Sequence, residues 1–270
     1  MIALLRTEWA KVLRRPRTYV ALGLVVVVPA IVGFALWANP PGEGGEGPRF
    51  FSAAISTGLL FPAAALNIMS RFLLVVVIGL FAGDAIAGEA GTGNLRYLLL
   101  RPIGRGRLLA AKLIVATSLA LIATTLLAGT ATLVGGIAFG FKPLDLPPFF
   151  VHQSVGNLLI HIGMATGYVA WSLASVVAFG FMISVMTQSA AGAAGAAVGF
   201  GVVSEIMNEI TALGSIRDVL PLRYFDSWQT LFWSNHVSDD MWTGLLLPIP
   251  YVLGLLGFTW WYFRRKDILA

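Results

Sequence analysis

EAGTGNLRYLLLRPIGRGRLLAAK, residues Glu89–Lys112, is the stretch whose reading decides the fold. Long apolar runs flank it on both sides. It carries five cations (Arg96, Arg101, Arg105, Arg107, Lys112) and one anion, Glu89. Basic charge between two membrane spans stays on the cytoplasmic side. Gly91 and Gly93 interrupt the chain, Asn94–Leu100 has room for two helical turns, and Pro102-Ile103-Gly104 stops them. Two readings stand. In one, this is a basic loop that only fixes topology. In the other, a short helix under the membrane is placed to take a push from a cytosolic partner.

Composition agrees with a membrane setting. The chain of 270 residues is 57% hydrophobic and 11% charged, against roughly 25% charged in soluble domains. Its apolar residues come in runs of about twenty, the length that crosses a bilayer. No alternating strand pattern of barrel type occurs, so the spans must be helices. There is no cysteine, which excludes disulfides and thiolate chemistry. The net charge of +5 lies beside span ends, where topology and anionic lipid account for it, and it implies no nucleic-acid partner.

Working outward, Met1–Arg17 predicts an amphipathic helix in the interface plane. Ile2, Leu5, Trp9, Val12 and Leu13 share one face, with Arg6, Glu8, Lys11, Arg14 and Arg15 off it. Residues 18–270 then form a single six-helix membrane domain with a cytoplasmic loop over 88–112. The first span is Tyr19–Trp37, with a kink expected at Pro29. Gly42, Gly44 and Gly47 complete a G-x-G-x-x-G. No strand precedes it, and Glu43 and Glu46 would repel phosphate, so it is no nucleotide site. Phe50–Leu66 reads as an outer interfacial or partly inserted helix. The second span is Ile68–Ala87, with Arg71 at its outer interface and Asp84 near its inner end.

The third span is read as Leu113–Gly136 and the fourth as Asn157–Val185. Gln153, Asn157, His161, Tyr168, Ser172 and Ser175 make a polar stripe on the fourth. Such a stripe either bonds to neighbouring helices or lines a pathway. The fifth span, Ala190–Ile210, puts Ala191, Gly195 and Gly199 on one close-packing face. It ends in the acidic pair Glu205 and Glu209, which reads as a wet outer vestibule because nothing nearby supplies a nucleophile or metal partner. G-x-x-x-G spacings at Gly79/Gly83 and Gly163/Gly167 are read as chance. Thr211–Asp240 reads as an external segment whose aromatics sit at headgroup level. The sixth span is Met241–Phe263, stopped by Arg264-Arg265-Lys266. On this layout thirteen of eighteen cations are inside and only four of thirteen acids. Both termini are then cytoplasmic.

The layout and the loop together resemble the permease subunit of a type-2 ATP-binding-cassette (ABC-2 type) transporter. Members begin with a basic elbow helix and have six spans. Their first cytoplasmic loop follows E-x-x-x-G-T-L-x-x-L-L-x-x-P-x-x-R, with a Lys shortly after. Glu89, Gly91-Thr92, Leu95, Leu98-Leu99, Pro102, Arg105 and Lys112 match in order, with Gly-Thr closer to the Glu and Gly93-Asn94 delaying the Leu. The resemblance implies that the loop couples to an ATPase subunit through Glu89, Thr92, Leu95, Arg96, Leu99, Arg101 and Pro102. It also implies a dimer of permease copies, identical or paralogous, in the cell membrane, usually for export. Asn157, His161, Tyr168, Glu205 and Glu209 are the candidate pathway lining. No G-x-x-x-x-G-K-[ST] occurs, so ATP and Mg are expected on a separate ATPase, with no cofactor, metal or catalytic residue on this chain. Two alternatives remain at this level: an integral membrane enzyme acting on a lipid, and a non-transporting anchor that recruits a cytosolic protein through the same loop.

Overall fold

The computed structural model describes residues 1–40, 57–93, 104–143, 153–233 and 237–265. Its architecture is all-α, with six helices long and apolar enough to cross a membrane. Helix α1 (Ile2–Leu13) lies before the spans. The spans are α2 (Pro16–Ala38), α3 (Gly58–Gly91), α4 (Arg105–Phe139), α5 (Val155–Met186), α6 (Ala190–Glu209) and α7 (Asp239–Arg265). The chain is thus a multi-pass membrane protein. The G-x-G-x-x-G at Gly42, Gly44 and Gly47 lies outside the described residues, as do residues 50–56 of the expected outer helix and Lys266.

Three element boundaries differ from the sequence reading. From Gly58 onward there is no separate surface helix: α3 is one element of 34 residues. In its first turns, residues 61–66 are buried against the rest of the bundle. A π-turn at Ser70–Leu74 carries Arg71 and makes the interruption that reads in sequence as a span boundary. Next, α4 begins at Arg105, so residues 105–112 are helix rather than loop. Finally, α2 begins at Pro16, three residues before the expected Tyr19, and contains Pro29 within one continuous helix.

Packing follows side-chain size. Helix α6 lies along α3, and α5 packs on the same helix. The close approach is made at Gly79 and Gly83. A Cβ at Gly79 would come within 3.2 Å of the Ala194 carbonyl oxygen, and one at Gly83 would strike the Ala194 backbone. The α6 residues facing them are Ala193, Ala194 and Ala197, all buried. The expected close-packing face of Ala191, Gly195 and Gly199 is therefore not the side of α6 that packs on α3. Gly195 and Gly199 have nothing within 4 Å of an added Cβ. Gly163 and Gly167 are likewise open. The Gly79/Gly83 spacing, which reads as chance in sequence, is the socket.

The segment after α6 also corrects the sequence reading. A 3₁₀ helix, Thr211–Val219, has no buried residue. The chain then turns inward, and Leu222, Phe225, Trp228 and Phe232 are buried in the main core rather than lying on the surface. At the opposite end of the bundle a smaller cluster of Ile86, Leu109, Phe181, Val185 and Phe263 joins α3, α4, α5 and α7. Arg105 donates to the Arg264 carbonyl at 3.3 Å, and a Cβ at Gly91 would lie 2.6 Å from the Gln188 carbonyl oxygen. Both roots of the basic loop, the turn at residues 187–189 and the end of α7 thus gather at one end, together with α1.

Candidate functional site at the root of the basic loop

Helix α3 ends where its sequence says it must. Gly93 takes a left-handed φ of 73° and its N–H donates to the Ala90 carbonyl at 3.1 Å, the usual device for closing a helix. Thr92 folds its hydroxyl back onto the Gly88 and Glu89 carbonyls, each at 3.2 Å. Glu89 therefore sits in the last turn, just above the start of the loop.

Its carboxylate points into the protein. Lys11 Nζ lies 2.9 Å from Glu89 Oε1 and 2.6 Å from Glu8 Oε1. Lys112 Nζ lies 2.8 Å from Glu8 Oε2 and 2.7 Å from Glu89 Oε2. The last of these is an ion pair by distance but falls off the hydrogen-bond direction. Two acids and two bases close a ring that joins α1, α3 and α4. Side-chain exposure is 5% for Glu8, 6% for Glu89 and 4% for Lys112, so three of the four charges are out of water. Burial pushes the Glu8 carboxyl up, but Lys112 and Lys11 outweigh it and hold it below its ordinary value. Burial likewise pushes Lys11 down, and its bonds to Glu8 and Glu89 more than reverse that. Every member of the ring has an oppositely charged partner, the condition on which a buried site tolerates charge.

A second contact fixes the entry to α2. Arg15 and Arg17 (the latter at 2.6 Å) both reach Asp84 Oδ2, about one and a half turns above Glu89. Gly88 makes room for that carboxylate, since a Cβ there would come within 2.9 Å of Asp84 Cγ. On the far side of α3, the Ser184 hydroxyl oxygen accepts from the Ile86 and Ala87 N–H groups at 2.9 Å each. Glu8, Lys11 and Arg15 are thereby turned toward the bundle, while Arg6 and Arg14 stay exposed. Ile2, at 85% exposed, and Leu13 remain on its surface.

Of the predicted coupling residues, Glu89 and Thr92 stand at the α3 root. Leu95, Arg96, Leu99, Arg101 and Pro102 lie outside the described residues, and so do the two helical turns expected over residues 94–100. The predicted pathway residues do not form one surface. His161 Nδ1 is 3.1 Å from Gln153 Oε1, and Tyr168 donates to the Tyr224 carbonyl at 2.6 Å. Gln153 in turn donates to the Phe232 carbonyl at 3.4 Å, so both His161 and Tyr168 are used in holding the 211–233 segment. Asn157 is exposed, as is the end of α6 at Glu209 and Ile210. Glu205 lies 3.5 Å from Arg71, which also binds Asp226. Sequence reasoning misses Glu8, Lys11, Arg15 and Ser184 as partners. The one available signal is an acid, Glu8, in an otherwise basic helix.

Comparison with known proteins bears on this geometry. The family model described as ABC-2 family transporter protein matches residues 4–204, from within α1 to within α6. The match covers well over half of the chain, so the chain belongs to that family. No curated protein matches it.

Proposed function

We propose that this ABC-2 family permease subunit is the moving half of an exporter in the plasma membrane. A second copy, identical or paralogous, completes its pathway, and a separate ATPase that holds ATP and Mg drives it. The observation that carries this reading is the ring of Glu8, Lys11, Glu89 and Lys112. It clamps both flanks of the basic loop to α1, so that force applied to the loop moves α1, α3 and α4 together. A loop that only fixed topology would have no need of buried charge at its roots.

The ATPase contacts are assigned to Leu95, Arg96, Leu99, Arg101 and Pro102, which follow in sequence the root that Glu89 and Thr92 form. The open glycine face of α6 at Gly195 and Gly199 is available to the second copy. Asn157 and Glu209, exposed near the start of α5 and at the end of α6, are the residues assigned to the pathway lining. Transport requires that cargo bind the inward and outward states unequally.

The test is substitution of Leu99 and Arg96 by Asp. The expected result is loss of co-purifying ATPase and of transport, with all six spans still inserted. Undiminished co-purification would remove the loop from the coupling path.

A further inference from the structure

The ring forms one wall of a cavity of about 200 Å³, whose other walls the coupling role does not use. It is bounded by α1, α2, α3, α4 and the first turn of α6. Four basic side chains (Lys11, Arg15, Arg17, Lys112) and three acidic ones (Glu8, Asp84, Glu89) line it. Each acid is already paired, so the cavity keeps one positive charge in excess. Arg17 carries that excess outward: one arm holds Asp84, and its side chain is 55% exposed. Apart from Thr18, the rest of the wall is apolar and includes Leu80, Phe81 and Ala191. Leu80, Val76 and Phe72 follow one another at four-residue spacing on α3, and Leu80 and Phe72 are exposed. They extend the apolar wall for about 12 Å along the helix.

A basic pocket at a span end with an apolar groove rising from it matches an amphiphile whose anionic group lies at the interface. We propose that this cavity binds one anionic glycerophospholipid. The phosphodiester meets Arg17 and Lys11, and an acyl chain lies along Leu80, Val76 and Phe72. Guanidinium and ammonium groups both bind phosphate through charge-assisted hydrogen bonds. A bound lipid neutralises the excess charge and seats on α1 and α3 at once. The site requires only that this end of the helices lie at a headgroup layer. It is independent of whether an ATPase docks on the loop.

The experiment uses the full chain in neutral detergent, with dioleoyl phosphatidylglycerol, dioleoyl phosphatidylcholine or inorganic phosphate added. Bound lipid is counted by native mass spectrometry, and the unfolding midpoint is followed by tryptophan fluorescence. One phosphatidylglycerol should be retained, with a saturable rise in midpoint that phosphatidylcholine and inorganic phosphate do not give. Leu80→Trp fills the groove without removing a charge and should weaken retention by about tenfold or more, as should Arg17→Gln. Arg107→Gln, on an exposed cation outside the cavity, should leave it unchanged. Equal retention in Leu80→Trp and the unsubstituted chain would overturn the proposal by making the binding a general surface effect. An equal midpoint shift from inorganic phosphate would overturn it by making the site one for free anions.

Discussion

Lys112 Nζ lies 2.8 Å from Glu8 Oε2, although 104 positions separate them and each is all but excluded from water. This contact ties the helix that precedes the membrane to the helix that follows the basic loop. Removing one partner of a buried ion pair typically costs about 3–5 kcal/mol, because the other charge is left uncompensated. Lys112→Met should therefore lower the unfolding midpoint markedly. Lys112→Met combined with Glu8→Gln leaves Lys11 and Glu89 as a neutral pair. The double substitution should be milder than the sum of the singles by more than about 1 kcal/mol. Additive losses in a thermal or denaturant double-mutant cycle would show that the ring does not act as a unit.

The same ring sets a pH window. Glu8 is held below its ordinary 4.5. Its contribution is present above that value and is lost as pH falls through the lowered one. Lys11 is held above its ordinary 10.5, so its contribution is present below that value and is lost as pH rises through the raised one. Stability from the ring should be flat across the neutral range and fall at both extremes. Glu8→Gln should lose the part of the acid limb that Glu8 contributes. A midpoint-against-pH series on the two proteins tests this. Superimposable acid limbs would take Glu8 out of the linkage.

The greasy architecture and the unusual loop are readable in the sequence, because run length and charge placement are local properties. Pairings across distance are not. Asp84 reads as an acid near the inner end of its span, but not as the mate of Arg15 and Arg17. Glu89 reads as a residue facing out toward a partner, since nothing in its neighbours shows that Lys11 and Lys112 stand behind it. The π-turn at Ser70–Leu74 looks like a boundary because Arg71 interrupts an apolar run, and an interruption looks the same whether the helix ends or only widens. Small-residue spacing marks several glycine pairs alike. Only the neighbour across the gap distinguishes a socket from an open face.

That distinction can be measured. Gly83→Val places two methyl groups against the Ala194 backbone, where there is no flexible side chain to move. Overpacking of this kind costs about 1–3 kcal/mol. Gly163→Ala meets nothing within 4 Å. There the gain in helix preference, about 0.5–1 kcal/mol, should leave stability unchanged or slightly higher. Midpoints of the two variants should move in opposite directions or differ clearly. A tolerated Gly83→Val would mean that α6 does not seat on α3 as described.

Arg71 makes the corresponding test away from the loop. It sits in the π-turn of α3 and reaches Glu205 on α6 and Asp226 in the inward-turning segment. One guanidinium thus links three elements, and the second Asp226 oxygen is buried without a hydrogen-bond partner among the described residues. Arg71→Met leaves two carboxylates facing each other with no cation between them. The expected loss is about 1–3 kcal/mol, discounted toward the lower end because these side chains are partly exposed. Arg71→Lys keeps the charge but not the two-armed reach, so it should fall between. Arg71→Met combined with Glu205→Gln and Asp226→Asn removes the repulsion and should recover most of the midpoint. The readout specific to the segment is thiol labelling of a cysteine placed at Ser227, in a chain with no cysteine of its own. Labelling should quicken in Arg71→Met and slow again in the triple variant. If the rate is the same in all three, Phe225 and Trp228 hold the segment by burial alone and Arg71 contributes nothing to its position.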